Sequence, residues 1–443
     1  MLPNSIKQVL RQGAKSNVTV YGHVKSVRHS KNVGFADISD GSGKSMAAVF
    51  KDPSKFLEAY PLKVGQSIAA VGRVTESRGK GQEYELLMDS VKIIGDVPDS
   101  YPIQKKKINV QTLRSLPTLR HRTQTLASVL RLRSTLEARL SKFFVERDFI
   151  KVNPPVLTSS DCEGAGETFK VEKSSEFFEK DTYLTVSSQL HLEVLSQSLS
   201  RVWTLTPCFR AEMSHTNRHL SEFWMLEAEI SFIDDVQQLT NFVESMIKSV
   251  VANDIPDLID SRFDPKDREE ISRRFELMRG QWNTITYSDA IDLIAKYMPG
   301  EANVVWGDSI STAHEKWLAG SHFKSPVFIT DYPQEQKPFY MPKSKIFDES
   351  RPTVACFDLI IPEIGELVGG SLREWQLDPL KQEMLSRGMN IDDMQWYLSL
   401  RENGTVPHGG FGLGFERLVC YLSAMDNVKD VIPFPRVPES CTC

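Results

Sequence analysis

The chain has 443 residues, 40% of them hydrophobic and 25% charged, and a formal net charge of -5. That length exceeds the usual size of one domain, and the ordinary composition excludes a fibrous, disulfide-stapled or disordered chain. The acidic balance argues against general polyanion binding, and no apolar run is long enough to cross a bilayer, so no membrane partner is expected.

The beginning differs from the average. No acidic residue precedes Asp37, while Lys7, Arg11, Lys15, Lys25, Arg28 and Lys31 do. The first fifteen or so residues are weakly amphipathic through Leu2, Ile6, Val9 and Leu10, a pattern similar to a short organelle transit peptide. From Val18 to about Gly95 come short β segments broken by turn residues: "VTVYGHVKSVR", "GFADISDGSG", "MAAVF", "SIAAVGRVTES" and "EYELLMDSVKIIG". Five such strands predict a small barrel of the OB type over residues 1–102, with Arg28, Lys31 and Phe35 as candidates for stacking and holding single-stranded nucleic acid. "GSGKS" at Gly41–Ser45 looks like the end of a phosphate-cradling loop, but Ile38 stands where a glycine is needed and no long helix follows, so it reads as a hairpin turn.

Residues 103–125 read as a hinge with a second basic cluster, Lys105 to Lys107, Arg114, Arg120 and Arg122, continued by Arg131 and Arg133. Both basic clusters fit either phosphate contacts or solvated surface charge. Apolar residues at helical spacing from Leu126 to Phe144 predict a long helix ending in "RDFIKVNPPVL", where Pro154 and Pro155 imply an edge strand or a dimer interface. Strands and helices then alternate to the end. Strand pairs with close turns point to an α+β domain over 126–443, an antiparallel sheet flanked by helices. The six cysteines lack zinc-ligand spacing, "AHEKW" lacks the second histidine of a zinc helix, and five of the seven tryptophans, Trp203, Trp282, Trp306, Trp317 and Trp396, read as core.

Three segments carry chemistry. "FRAEMSHTNRHLSEFWMLEAEI" (Phe209–Ile230) ends with Phe223, Met225, Glu227 and Glu229 on one strand face and Trp224, Leu226, Ala228 and Ile230 on the other, and a hairpin through Met213–Ser221 would bring Arg210 and Glu212 alongside. "FDLIIPEIGELVGGSLRE" puts Asp358 and Glu366 on two strands, with Arg373 just after. "GGFGLGFERL" supplies glycines that let backbone approach a ligand, then a helix bearing Arg417. Carboxylates for hard cations and arginines for phosphates, grouped around an aromatic ring, suit a Mg-nucleotide site outside a P-loop.

Phe209-Arg210-Ala211-Glu212, the glycine-rich run ending at Arg417, and the helix-strand containing Pro155 resemble motifs 2, 3 and 1 of the class II aminoacyl-tRNA synthetases. With an OB domain in front, the chain is similar to the aspartate/asparagine/lysine subgroup over nearly its whole length. The resemblance implies an N-terminal anticodon-binding barrel, a class II catalytic domain, ATP and Mg2+ as cofactors, and a homodimer. It also implies roles. Arg210 would grip the α-phosphate, Arg417 the γ-phosphate, and Arg218 and His219 the outer phosphates, while Phe223 would stack on adenine. Glu229, Glu366 and Asp358 would coordinate magnesium, and Glu212 would orient the terminal adenosine of tRNA.

"RHLSEFWMLEAE", "GELVGGSLRE" and "DYPQEQKPFYM" resemble the asparaginyl branch of the subgroup, although Pro338 replaces the usual alanine. That branch implies asparagine and tRNA(Asn) as partners. Arg373 can donate to a side-chain carbonyl and Glu227 can accept from an amide, so asparagine satisfies both, whereas aspartate would set a carboxylate against Glu227. Two like charges in a desolvated pocket cost on the order of several kcal/mol, roughly a thousandfold discrimination. Glu163 and Gln189 are candidates for the substrate's ammonium and carboxylate. The nearest rival is an aspartyl enzyme of strict or relaxed specificity. The acid-free start, lying almost at the first strand, favours the mitochondrial matrix over the cytoplasm.

Overall fold

The computed structural model describes residues 2–79, 82–104, 108–159, 168–262, 264–298, 300, 303–345 and 348–443. The chain divides into two compact units, Met1–Leu132 with Ile255–Arg268, and Arg133–Asp254 with Glu269–Cys443.

In the first unit, β1 (Lys15–His29), β2 (Val33–Ser39), β3 (Ser45–Lys51), β4 (Ser67–Glu76) and β5 (Tyr84–Gly95) close into a barrel in the order β1-β2-β3-β5-β4. Every second residue points inward, as a half-buried strand requires: Ala36 and Ile38 on β2, Met46, Ala48 and Phe50 on β3. All neighbours are antiparallel except β3 and β5. Gly41 and Gly43 take positive φ in the turn from β2 to β3, so the "GSGKS" segment is a hairpin turn. The transit-like beginning contains a folded element. Helix Ile6–Gln12 starts at a capping box made by Ser5 and Gln8, and its Ile6 and Val9 belong to the barrel's core. A helix at Pro53–Ala59, not foreseen, links β3 to β4.

The second unit is built on β6 (Ile150–Lys151), β9 (Arg201–Phe209), β10 (Glu222–Ser231), β11 (Asn283–Thr286), β12 (Val327–Thr330), β13 (Cys356–Ile361), β14 (Gly365–Arg373) and β15 (His408–Gly414). These form one sheet in the order β11-β12-β13-β14-β15-β10-β9-β6, while β7 (Leu157–Thr158) and β8 (Tyr183–Leu184) pair separately. The middle of the sheet is antiparallel, as expected. The outer pairs β11–β12 and β6–β9 are parallel. Pro154 and Pro155 lie in the link between β6 and β7, where no ladder N–H is needed.

One face of the sheet is apolar. Helix Val236–Val250 buries Leu239, Val243, Met246, Ile247 and Val250, a helical stripe, and Leu239 lies against the backbone at Gly409. Phe144 stacks on Trp203 at 4.5 Å, with Phe149, Phe242 and Phe411 around them. Of the tryptophans read as core, Trp203 and Trp282 are buried and Trp306 and Trp317 pack on a core cluster, but Trp396 is exposed, stacked on His191 at 5.6 Å. His314 is buried and closes a capping box with Ser311.

Candidate active site

The other face of the sheet carries the chemistry. Register aligns Asp358 with Gly369, Gly369 with Gly412, and Gly412 with Glu227. Two carboxylates therefore stand at the ends of a row whose middle has no side chains. At a strand spacing of about 4.8 Å, three steps separate them by roughly 14 Å, room for a small ligand to lie on bare backbone. The next row is Cys356, Ser371, Gly410 and Glu229.

Around Glu366, the expected phosphate-handling groups gather. The hairpin forms with Phe223 opposite Cys208, and the Arg210 amide donates to the Ser221 carbonyl at 3.0 Å. The Arg210 guanidinium lies 5.7 Å from the Phe223 ring centre and 3.9 Å from Glu212. Arg417, on helix Phe415–Leu422, donates to the Glu366 carbonyl at 2.9 Å and approaches its carboxylate at 3.5 Å. Arg218 pairs with Glu315 at 3.2 Å, and the same Glu315 oxygen accepts from the Glu366 amide. His219 Nδ1 is 2.5 Å from Thr216 Oγ1 and 3.0 Å from Ser214 Oγ; burial first, then Arg417 and Arg218, lower its pKa. Burial opposes ionisation of Glu366, but Arg417, Lys337, Arg210 and Arg218 outweigh it and hold the carboxyl below its ordinary value.

Lys337 was not singled out from sequence. It is nearly enclosed, 2.7 Å from Asp358 Oδ2 and 3.9 Å from the centre of the Tyr332 ring. Burial and the neighbouring Glu366 raise the Asp358 pKa against the pull of Lys337. Asp358 Oδ1 and Glu366 Oε1 converge above Gly369, each 3.4 Å from where a Cβ would stand.

Glu229 does not join them. The expected trio of Asp358, Glu366 and Glu229 is a pair, and among the described residues no group of three or more metal-ligating side chains forms. Glu229 lies two strands from β14, next to Gly410, and receives Arg373 in a two-pronged pair: Nε to Oε1 and Nη2 to Oε2, both 3.1 Å. Arg373 also donates to Ser371 Oγ at 2.6 Å. Gly410 makes this geometry possible, because a Cβ there would collide with the Glu229 carboxylate. Burial, then the neighbouring Glu193 carboxylate, push the Glu229 pKa up against the pull of Arg373.

Glu227 is buried and held. Its Oε1 accepts from Ser187 Oγ at 2.5 Å, and the Ser188 amide donates to Oε2 at 2.9 Å. These donors sit immediately before helix Gln189–Leu199, whose first residue, Gln189, donates to Glu193 at 3.1 Å. The sequence marked Gln189 but neither serine nor Glu193. Glu163 lies outside the described residues, as do Lys105 to Lys107.

On the barrel, Arg28 pairs across strands with Phe35 and its guanidinium lies 5.5 Å from the ring centre, while Lys31 is exposed in the turn between β1 and β2. A half-exposed ring flanked by cations suits a base and its phosphate.

Residues 109–438 match the family model of tRNA synthetases class II (D, K and N), and residues 18–94 match that of the OB-fold nucleic acid binding domain. The chain is 43% identical over 474 residues to the mitochondrial asparagine-tRNA ligase of Saccharomyces cerevisiae, covering 98% of this chain and 94% of that one. It is 42% identical to the asparagine-tRNA ligase of Microcystis aeruginosa, covering 98% of each. The crystal structure of asparaginyl-tRNA synthetase from Pyrococcus horikoshii, complexed with asparaginyl-adenylate, superposes with a TM-score of 0.88 at 29% identity, covering 100% of this chain and 99% of that one.

Proposed function

The chain belongs to the class II tRNA synthetases of the aspartate, lysine and asparagine group, and on that premise we propose that it is an asparagine-tRNA ligase. It activates asparagine with ATP to asparaginyl-adenylate, then transfers the asparaginyl group to tRNA(Asn). The observation that carries the choice of amino acid is the pairing of a held acceptor, Glu227, with a held donor, Arg373, on one face of the sheet. A carboxamide matches both; a carboxylate meets Glu227 as a like charge.

In the first step a carboxylate oxygen of asparagine attacks the α-phosphorus and diphosphate leaves. Arg210 faces the charge that develops on the α-phosphate, and Phe223 beside it offers a surface to adenine. Arg417, Arg218 and His219 hold the outer phosphates, for which Arg218 leaves Glu315. Gln189 and Glu163 address the substrate's carboxylate and ammonium. In the second step a ribose hydroxyl of the terminal adenosine, oriented by Glu212, attacks the adenylate carbonyl and AMP leaves. None of this needs a nucleophilic side chain: positioning and fixed charge supply the rate. Two converging oxygens beside a ring of cations fit a divalent ion that keeps several waters or phosphate oxygens, so Asp358 and Glu366 would hold Mg2+, which neutralises phosphate charge when bound.

The barrel face at Arg28, Lys31 and Phe35 reads the anticodon. Exposed Val145, Ile150 and Leu157, beside edge strand β6, are the apolar surface for a homodimer. The mitochondrial yeast relative favours the mitochondrial matrix; among the described residues no helix is long and apolar enough to cross a membrane. Aminoacylation of purified tRNA with asparagine and aspartate in parallel tests the reading. Charging with asparagine at a rate at least a hundredfold above aspartate is expected, and preferential charging with aspartate overturns it.

A further inference from the structure

Beyond the floor of the site, one carboxylate gathers more partners than any stability argument requires. Glu193, fully buried, accepts from Arg401 Nη2 at 2.7 Å and Tyr397 Oη at 2.8 Å, lies 3.1 Å from His408 Nε2, and receives Gln189 Nε2 on its other oxygen at 3.1 Å. That second oxygen is also 3.9 Å from Arg373 Nε. Burying ions is costly, and well-packed apolar residues often serve stability equally well or better. The arrangement ties together four separate pieces of chain. Gln189 and Glu193 are one turn apart on one helix, Arg401 and Tyr397 come from helix Gln395–Glu402, and His408 is the cross-strand partner of Arg373 itself.

We propose that Glu193 is a positioning and specificity-determining residue: acting through Arg373 and Gln189, its negative charge sets the pocket against an anionic side chain. The inference rests on the reading of Arg373 as the group that meets the substrate's carboxamide oxygen. Arg373 already pairs with Glu229. With Glu193 also near its Nε, its positive charge is shared between two carboxylates, enough to donate to a neutral carbonyl but too compensated to attract a carboxylate strongly. Removing Glu193's charge makes the pocket one unit more positive and favours aspartate. Removing Arg401's charge makes it one unit more negative and disfavours aspartate.

The test is ATP-pyrophosphate exchange with asparagine and aspartate for the wild-type chain, Glu193→Gln and Arg401→Gln, with aspartate also measured as an inhibitor of the asparagine reaction. In Glu193→Gln the ratio of kcat/KM for aspartate over asparagine rises about tenfold, about 1.4 kcal/mol, through a higher KM for asparagine and a tighter aspartate Ki. In Arg401→Gln aspartate inhibits more weakly relative to the KM for asparagine. KM for ATP stays within about twofold in both. Structural loosening would blunt selectivity in the same direction in both variants; movement in the same direction, or an unmoved ratio in a folded Glu193→Gln protein, overturns the proposal. Should Glu193→Gln fail to fold, as judged by thermal unfolding, Arg401→Gln decides alone. A wild-type chain that fails to prefer asparagine refutes the functional reading instead, so the two failures are distinguishable.

Discussion

Replacing Glu227 by glutamine changes one atom and one charge in a pocket whose hydrogen bonds dictate what the new side chain can do. Ser187 Oγ and the Ser188 amide both donate to Glu227, the amide lying 3.1 Å from Oε1 and 2.9 Å from Oε2. A backbone N–H cannot turn into an acceptor. The glutamine carbonyl must therefore take the Ser188 amide, and its NH2 takes the place of the other oxygen, so the pocket gains a donor that suits a carboxylate and repels the NH2 of a carboxamide. The wild-type carboxylate and an aspartate side chain about 4 Å apart repel by about 4 kcal/mol at an effective dielectric constant of about 20. Relief of even half of that is roughly a thirtyfold gain for aspartate. Together with the lost acceptor for asparagine, worth about 1–3 kcal/mol when a buried donor goes unpaired, the ratio of kcat/KM for aspartate over asparagine should rise by roughly two to three orders of magnitude. ATP-pyrophosphate exchange with each amino acid measures it directly. An unchanged ratio in a folded variant with normal KM for ATP would show that Glu227 does not face the side chain of the substrate.

Arg210→Ala should reduce adenylate formation by roughly a thousandfold or more, the scale of losing a donor to transition-state charge, while filter binding of tRNA stays within about threefold; undiminished exchange contradicts the assigned role. Gly410→Ala drives a Cβ into the Glu229 carboxylate and the Ala228 carbonyl, so thermal unfolding should show a loss of about 1–3 kcal/mol and asparagine activation should fall more than ATP binding; wild-type values for both would mean the Glu229–Arg373 pair is not confined as described. His121 lies beside Arg120, and burial with that charge lowers its pKa to about 4. Between its ordinary value of about 6.5 and 4 the unfolded chain takes up a proton the folded chain refuses, so stability falls as pH drops through this window. His121→Gln should reduce the difference in urea midpoint between pH 7 and pH 5, and an unaltered difference would exclude this coupling.

Much of the architecture could be read from local pattern, and what could not has identifiable causes. The barrel strands alternate cleanly, as Ala36, Ile38, Met46, Ala48 and Phe50 do, because one face is core and the other solvent. The hairpin of β9 and β10 announced itself the same way, and Glu227 and Glu229 do share a face. What no periodicity reveals is which partner a charge finds. Glu229 is 144 residues from Arg373 in sequence, and its neighbours alone gave no reason to prefer an arginine to a metal. Lys337 and Glu193 escaped notice because a single lysine or glutamate on an otherwise ordinary segment carries no signal until the sheet closes around it. The glycines of β15 read from sequence as backbone that a ligand can approach, not as a strand. Glycine weakens a strand in isolation, but with the Ser371 carbonyl crowding Gly409 and Glu229 crowding Gly410, only bare backbone can be threaded there. Helix Pro265–Arg279 gives a weak helical signal, because its charged sequence is interrupted only by Ile271, Phe275, Leu277 and Met278, of which Ile271, Phe275 and Met278 form the buried stripe.

The glycine-lined strand β15 limits how this enzyme could be altered. With Gly410 closed to any side chain and Gly412 packed beside Met225, a library that randomises the sheet beneath the ligand would mostly yield damaged proteins. Variation with a chance of accepting other amino acids belongs on the walls, at Ser187, whose hydroxyl holds Glu227, and at Gln189, whose side-chain amide holds Glu193, where a change re-aims a carboxylate without moving a strand. Drift toward a new amino acid by natural substitution would follow the same route.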